Sequence, residues 1–351
     1  MTLVRLRLGM LLVIVLFAGG YIAMASRPLC HVRMTAALRD ALFAADGGAL
    51  IQTAQHQFNT GNYTAAIAAL QSAIAQNSSN AEAYYWLGRC YYEVRDYDNA
   101  VTQGEKSVSL DPKNSVYHQK LGQAYGGKAD RDRSFFIAKK VKKEFEEAVR
   151  LNPSNLEARR NLEEFCIEAP FIVGGSKDEA RAQVDAIAAI DPVEGHLARA
   201  VFDQNASKNL ANAEGEYRQV LDAKPNRIEP YLEVAGFFQK QNKPSDADTA
   251  IQAAAKMSGK DPRLPFYMGV SHVISGSDSG KAEMYLKSYL ASTPDRSDWP
   301  SHAAARDWLG RLYEAQGKRA EAAEQYRAAL RLEPGRKETQ ARLEKLEKSS
   351  R

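Results

Sequence analysis

Apolar and small residues recur along most of this chain at the three-and-four spacing of helix faces, in pairs of short segments separated by polar turns. The clearest pair covers 81–114. Leu87, Gly88 and Tyr91 fall on one face of a first helix, and Asp96 and Asp98 mark a break. Ala100, Gly104 and Ser107 then give a second helix a face of small residues before Asp111-Pro112 ends it. Small residues let two helices approach closely, so the spacing predicts that Gly88 lies at the helix contact. Such a unit cannot bury its apolar face alone and must stack on neighbours.

The remaining chain supplies those neighbours. Similar pairs are predicted near 47–80, 115–155, 156–193, 194–227, 228–261, 262–296 and 303–336, and almost no stretch alternates as a strand would, so the fold class is all-α. Two pairs are overlong. In the third, the extra residues fall within 126–143, where Lys128, Arg131, Arg133, Lys139, Lys140, Lys142 and Lys143 oppose only Asp130 and Asp132. Helical spacing through Phe136, Ile137, Val141, Phe145 and Ala148 predicts a second helix elongated at its start, with a basic face that is either solvated or turned to an acidic partner or lipid headgroups. In the fourth, 168–175 contains Ala169-Pro170 and Gly174-Gly175, which predict a shaped loop with Phe171, Ile172 and Val173 tucked against a helix. Residues 337–351 read as a charged capping helix and tail, with Leu343 and Leu346 on one side.

The marks of 81–114, repeated with a period of roughly 34 residues, resemble the tetratricopeptide repeat (TPR) family. The resemblance covers about 47–348 and is strongest at 81–114 and 303–336. It implies a right-handed superhelical solenoid of about eight helix-turn-helix repeats, binding a protein or peptide in its concave groove without catalysis. In the family arrangement the groove is lined by set positions of each first helix, which here select Glu82, Tyr85, Arg89, Tyr92 and Glu93, with Arg160 and Glu164 from the fourth repeat. One subset of the family clamps a partner's C-terminal carboxylate; the corresponding places here hold Ile51, Gln55, Trp86, Val116 and Lys120, so that clamp is not reproduced.

The amino-terminal segment changes the picture of where this array works. Arg5 and Arg7 precede an uncharged run at 8–25 that ends in Ala23-Met24-Ala25. This is the pattern of an export signal cleaved after Ala25, or of a retained membrane anchor. Either places the repeats outside the cytoplasm, in the periplasm or on the outer face of the membrane, with 26–46 as a leading helix or tether. Charge is nearly balanced, 47 basic against 43 acidic residues, which excludes the basic excess of a dedicated nucleic-acid binder. Cys30, Cys90 and Cys166 cannot all pair within one chain, and the scattered histidines form no H-x-x-x-H pair, so neither a disulfide framework nor a metal or other cofactor is expected. Phosphate-loop, hydrolase-elbow and zinc-helix motifs are absent, and nearly every residue is absorbed by the repeats, so no enzyme is expected. Two binding functions remain open: a scaffold for protein partners of the cell envelope, or a binder of an envelope polymer such as a glycan.

Overall fold

The computed structural model describes residues 36–348. The apolar run at 8–25, Cys30 and the beginning of the tether lie outside these residues. The chain divides into two compact units, 1–43 and 44–351, and the helical array belongs to the second.

Eight helix pairs follow one another, and the described residues contain no strand. The first helices are α1 (Ala36–Asn59), α3 (Ala81–Glu93), α5 (Ser115–Asp132), α7 (Leu156–Glu168), α9 (Pro192–Asn205), α11 (Glu229–Lys240), α13 (Leu264–Ser275) and α15 (His302–Ala315). Their partners are α2 (Tyr63–Gln76), α4 (Tyr97–Leu110), α6 (Phe135–Leu151), α8 (Lys177–Ile190), α10 (Leu210–Ala223), α12 (Pro244–Met257), α14 (Ser279–Ser292) and α16 (Arg319–Leu332). A last helix, α17 (Lys337–Lys348), packs Leu343 and Leu346 onto the eighth pair and leaves its charged side to water. No helix among the described residues is long and apolar enough to cross a membrane.

Each pair reverses through a residue in the left-handed backbone region: Gly61, Arg95, Arg133, Gly174, Lys208, Asn242, Gly276 and Gly317. This conformation turns the next amides back onto the helix end. Asn62, Asp96, Lys243 and Lys318 donate their N–H groups to carbonyls of Gln57, Tyr91, Phe238 and Tyr313 at 2.8–2.9 Å, satisfying acceptors that the last helical turn leaves open. In four pairs the next residue also caps the second helix, with the side chains of Asn62, Asp96, Ser134 and Asn209 accepting from amides in the first turn. Such a cap contributes about 1 kcal/mol.

Close contact within a pair depends on small residues. A Cβ on Gly88 would come within 3.2 Å of the Ala100 carbonyl oxygen, and one on Gly122 within 2.5 Å of the Phe145 ring. The core is accordingly a row of overlapping clusters rather than one centre. Phe58, Leu70, Leu87 and Cys90 share the first, Tyr125, Phe145, Leu162 and Cys166 the second, and Tyr217, Tyr231 and Phe238 the third. Both described cysteines are buried and unpaired, and burial pushes each thiol up to about 12, as expected of small apolar core residues.

Two local expectations need correction. The extra length in the third pair is shared: α6 is elongated, but α5 also runs on to Asp132, so the reversal moves outward to Arg133-Ser134. In 168–175, only Val173 is tucked in. Phe171 and Ile172, in a short 3-10 turn, are 91% and 70% exposed, because Gly174 and Gly175 close the loop tightly under Val173 and turn its neighbours outward.

Candidate functional site

The first helices of the second, third and fourth pairs, α3, α5 and α7, present one side to a cleft of about 1270 Å³. Of the residues that the sequence places in a groove, Tyr85, Arg89, Tyr92, Glu93 and Glu164 line it. Glu82 and Arg160 are not part of its lining. The Glu82 carboxylate accepts from Gln55 Nε2 of α1 at 3.1 Å. Arg160 is bound inside the molecule, donating to Glu233 Oε1 at 2.7 Å, Glu233 Oε2 at 3.1 Å and Glu194 Oε2 at 3.0 Å. One guanidinium thereby joins the fourth, fifth and sixth pairs, in the bidentate geometry that makes arginine–carboxylate contacts directional.

The cleft wall is also more tightly built than exposed helix residues would be. Tyr85 stacks on Tyr117 with ring centroids 5.0 Å apart, and the Arg89 guanidinium lies 4.5 Å from the Phe58 ring centre and 4.7 Å from that of Trp86. Removing Arg89 would therefore disturb packing between the first two pairs as well as the cleft. Burial pushes the Tyr92 phenol up to about 12 and raises the Tyr85 phenol, so both are neutral donors near neutral pH. Along α5 and α7, Asn161 Oδ1 accepts from Gln119 and Gln123 at 3.2 and 3.0 Å, and Lys120 pairs with the exposed Glu157 at 2.5 Å. Amide, phenol, ammonium and carboxylate groups thus alternate along the wall.

One boundary of the cleft comes from a distant part of the chain. Residues 293–301, which join the seventh and eighth pairs, reach back to the first two, and Ser297 and Asp298 enter the lining. Ser297 donates its backbone N–H and its hydroxyl to the two oxygens of Glu93, at 2.8 and 2.9 Å. Tyr63 donates its hydroxyl to the Asp295 carbonyl at 3.1 Å, and the Arg296 guanidinium stands 5.6 Å from the Phe58 ring centre. Nearby, Arg95 donates to the Leu332 carbonyl at 3.1 Å and reaches Glu333 at 3.5 Å. The second unit therefore comes back on itself, with the link after the seventh pair and the end of the eighth pair touching the first and second. Sequence reasoning missed this segment. The available signal was a break in period between Pro294 and Ser301 that carries Arg296 and Trp299.

Behind the cleft, Glu163 is 2% exposed and its Oε1 has no hydrogen-bond partner. Burial is the main cause that pushes its carboxyl up to about 8, so it is mostly protonated at neutral pH. Among the described residues no group of three or more His, Cys, Asp or Glu side chains is placed to hold a metal ion.

Tetratricopeptide repeat family models match residues 51–115 and 303–336, near the two ends of the array. No curated protein matches the chain. Among solved structures, it is similar to a tetratricopeptide repeat protein from Parabacteroides merdae, with 15% identity, a TM-score of 0.49, and coverage of 86% of this chain and 98% of that one. It is also similar to a thermophilic TPR protein from Thermus thermophilus, with 16% identity, a TM-score of 0.43, and coverage of 64% and 98%. A third similar structure, YrrB, is described as a TPR protein with an unusual peptide-binding site; it shares 18% identity, a TM-score of 0.35, and coverage of 65% and 93%. With those models matching at both ends and paired helices continuing between them, the chain is a tetratricopeptide repeat protein.

Proposed function

We propose that this protein is a non-catalytic scaffold or adaptor of the cell envelope, holding a segment of a protein partner in the cleft of its second to fourth repeats. The fold is one used in general for protein–protein interaction. The observation that carries the more specific reading is the pairing of Glu93 with Ser297. This part of the wall already receives a non-helical segment through a main-chain N–H and a hydroxyl, the groups that an extended peptide offers. The alternation of Asn161, Lys120, Glu157 and Tyr92 suits a polar peptide better than a glycan. Sugar binding favours open aromatic faces, whereas Tyr85 and Tyr117 turn theirs toward each other.

The envelope assignment rests on Arg5, Arg7, the uncharged run at 8–25 and Ala23-Met24-Ala25. Amino-terminal sequencing of protein from the source cell reads it directly. Ser26 at the terminus means a cleaved signal, Met1 in a membrane fraction means an anchor, and Met1 in the cytoplasm defeats both.

The cleft is tested in the native cell with a photo-cross-linker placed at Lys120 or Glu164, and at the exposed Met257 outside the lining. Capture of one protein from the two cleft positions and not from Met257 is expected. Adducts that disappear on glycan digestion would favour the polymer, and equal capture at all three positions would overturn the cleft.

A further inference from the structure

Four large apolar side chains stand out at one edge of the array. Phe135 and Phe136 begin α6 and are 62% and 75% exposed, and Phe171 and Ile172 tip the corresponding reversal of the next repeat. In stacked antiparallel pairs all such reversals lie along the same edge, so these tips are neighbours. Two observations bind them together: Phe135, Pro170 and Val173 border the same cleft, and Lys142 of α6 donates to the Gly174 carbonyl at 3.0 Å.

The charge on the exposed face of α6 beside the tips is basic. Phe136, Lys139, Lys140 and Lys143 follow one another at the three-and-four spacing of a single face of α6, opposite the buried Val141, Phe145 and Ala148. Lys139 and Lys143 are exposed, as is Arg133 just before the helix, and among the described residues none of the three forms an ion pair with a carboxylate, Glu147 one turn beyond Lys143 being paired with Arg150 at 2.6 Å. Three of the neighbouring acids are engaged with other basic groups. Asp98 and Asp132 pair with Lys128 and Arg131, and Glu179 with Lys142 at 2.5 Å.

We infer that this edge is a second functional surface, which inserts Phe135, Phe136, Phe171 and Ile172 into the headgroup layer of an anionic lipid bilayer while Lys139, Lys140, Lys143 and Arg133 rest on its phosphates. The shape favours lipid over protein. The tips protrude singly from two turns, whereas protein partners gain most of their energy from side chains enclosed in pockets. A deformable interface accepts protruding apolar groups without a complementary hollow, and each lysine near an anionic surface adds attraction. This inference stands on residues 131–173 and does not depend on the segment at 8–25.

The test uses the full chain mixed with vesicles containing brominated phosphatidylglycerol and phosphatidylethanolamine. Tryptophan is introduced as Phe136→Trp or Phe171→Trp, with Met284→Trp, also exposed, as the comparison in the seventh repeat. Emission added at 136 and 171 should be quenched and that at 284 should not. Changing Lys139, Lys140 and Lys143 together to Ala should reduce the quenched population by at least about tenfold, as should brominated phosphatidylcholine alone, with helical circular dichroism unchanged. No quenching at 136 or 171 would overturn the inference in favour of an acidic protein partner. Equal quenching at all three positions would overturn it as general adsorption.

Discussion

Glu93 and Ser297 are joined by two hydrogen bonds, 2.8 and 2.9 Å long, although they belong to the second helix pair and to the link between the seventh and eighth. Burial raises the carboxyl of Glu93, and the two bonds from Ser297 oppose that rise by favouring the charged form. The contact ties the end of the array to its beginning and sets one boundary of the cleft.

Cutting this tie should free the segment without unfolding the repeats. Ser297→Ala removes the hydroxyl donor and should cost about 1 kcal/mol, the scale of one hydrogen bond to a partly exposed charged group. Glu93→Ala removes both acceptors and should cost more. Hydrogen exchange is expected to quicken at 293–301 and around Tyr63, with amides of α8 and α10 unchanged. Equal exchange in the two proteins would show that the contact does not hold the segment.

Two glycines four residues apart in α5 should respond oppositely to alanine. A methyl group at Gly122 meets the buried Phe145 ring at 2.5 Å, while one at Gly126 meets nothing within 4 Å. Gly122→Ala should therefore destabilise by about 1–3 kcal/mol through overpacking. Gly126→Ala should stabilise by about 0.5–1 kcal/mol, because glycine inside a helix loses more backbone entropy on folding. Denaturant melts of both variants check the signs.

Glu163 predicts a dependence on pH. Its folded carboxyl is raised from the ordinary 4.5 to about 8, so across that interval the folded state holds a proton that the unfolded state has released. The contribution to stability is present in full below about 4.5 and is lost progressively as pH rises through about 8. Glu163→Gln keeps the neutral shape and cannot ionise. It should flatten the fall in stability between these limits, measured as the difference between the two proteins at each pH. An unchanged slope would mean that Glu163 is not the group responsible.

Lys208 occupies the left-handed turn of the fifth pair with φ of 56° and an exposed side chain. A lysine there carries steric strain that glycine lacks. Lys208→Gly is expected to stabilise by about 0.5–1 kcal/mol once the greater freedom of glycine in the unfolded chain is included. Arg95 is a poorer site for the same change, since its guanidinium also holds Leu332 and Glu333. A lower melting temperature for Lys208→Gly would show that other contacts of Lys208 outweigh the strain.

The sequence by itself determined what is local or periodic. Helix faces such as Leu87, Gly88 and Tyr91, the break at Asp96, and the small-residue contact of Gly88 with α4 follow from spacing and side-chain size within one repeat, and each is found in the structure. Of the seven groove positions that the family arrangement implies, Tyr85, Arg89, Tyr92, Glu93 and Glu164 lie together along the cleft, while Glu82 and Arg160 do not. What only the tertiary structure decided concerns residues brought together by the accumulated turn of many repeats. The spacing of Glu93 carries no trace of Ser297, and nothing local to Arg160 announces Glu233, two repeats away. Side-chain direction in irregular loops was equally hidden. Phe171, Ile172 and Val173 are alike in hydropathy, and only the closure through Gly174 and Gly175 buries the third and exposes the other two. Periodicity reports which face a residue occupies; contact between distant repeats depends on small rotations summed along the array, and no single repeat encodes that sum.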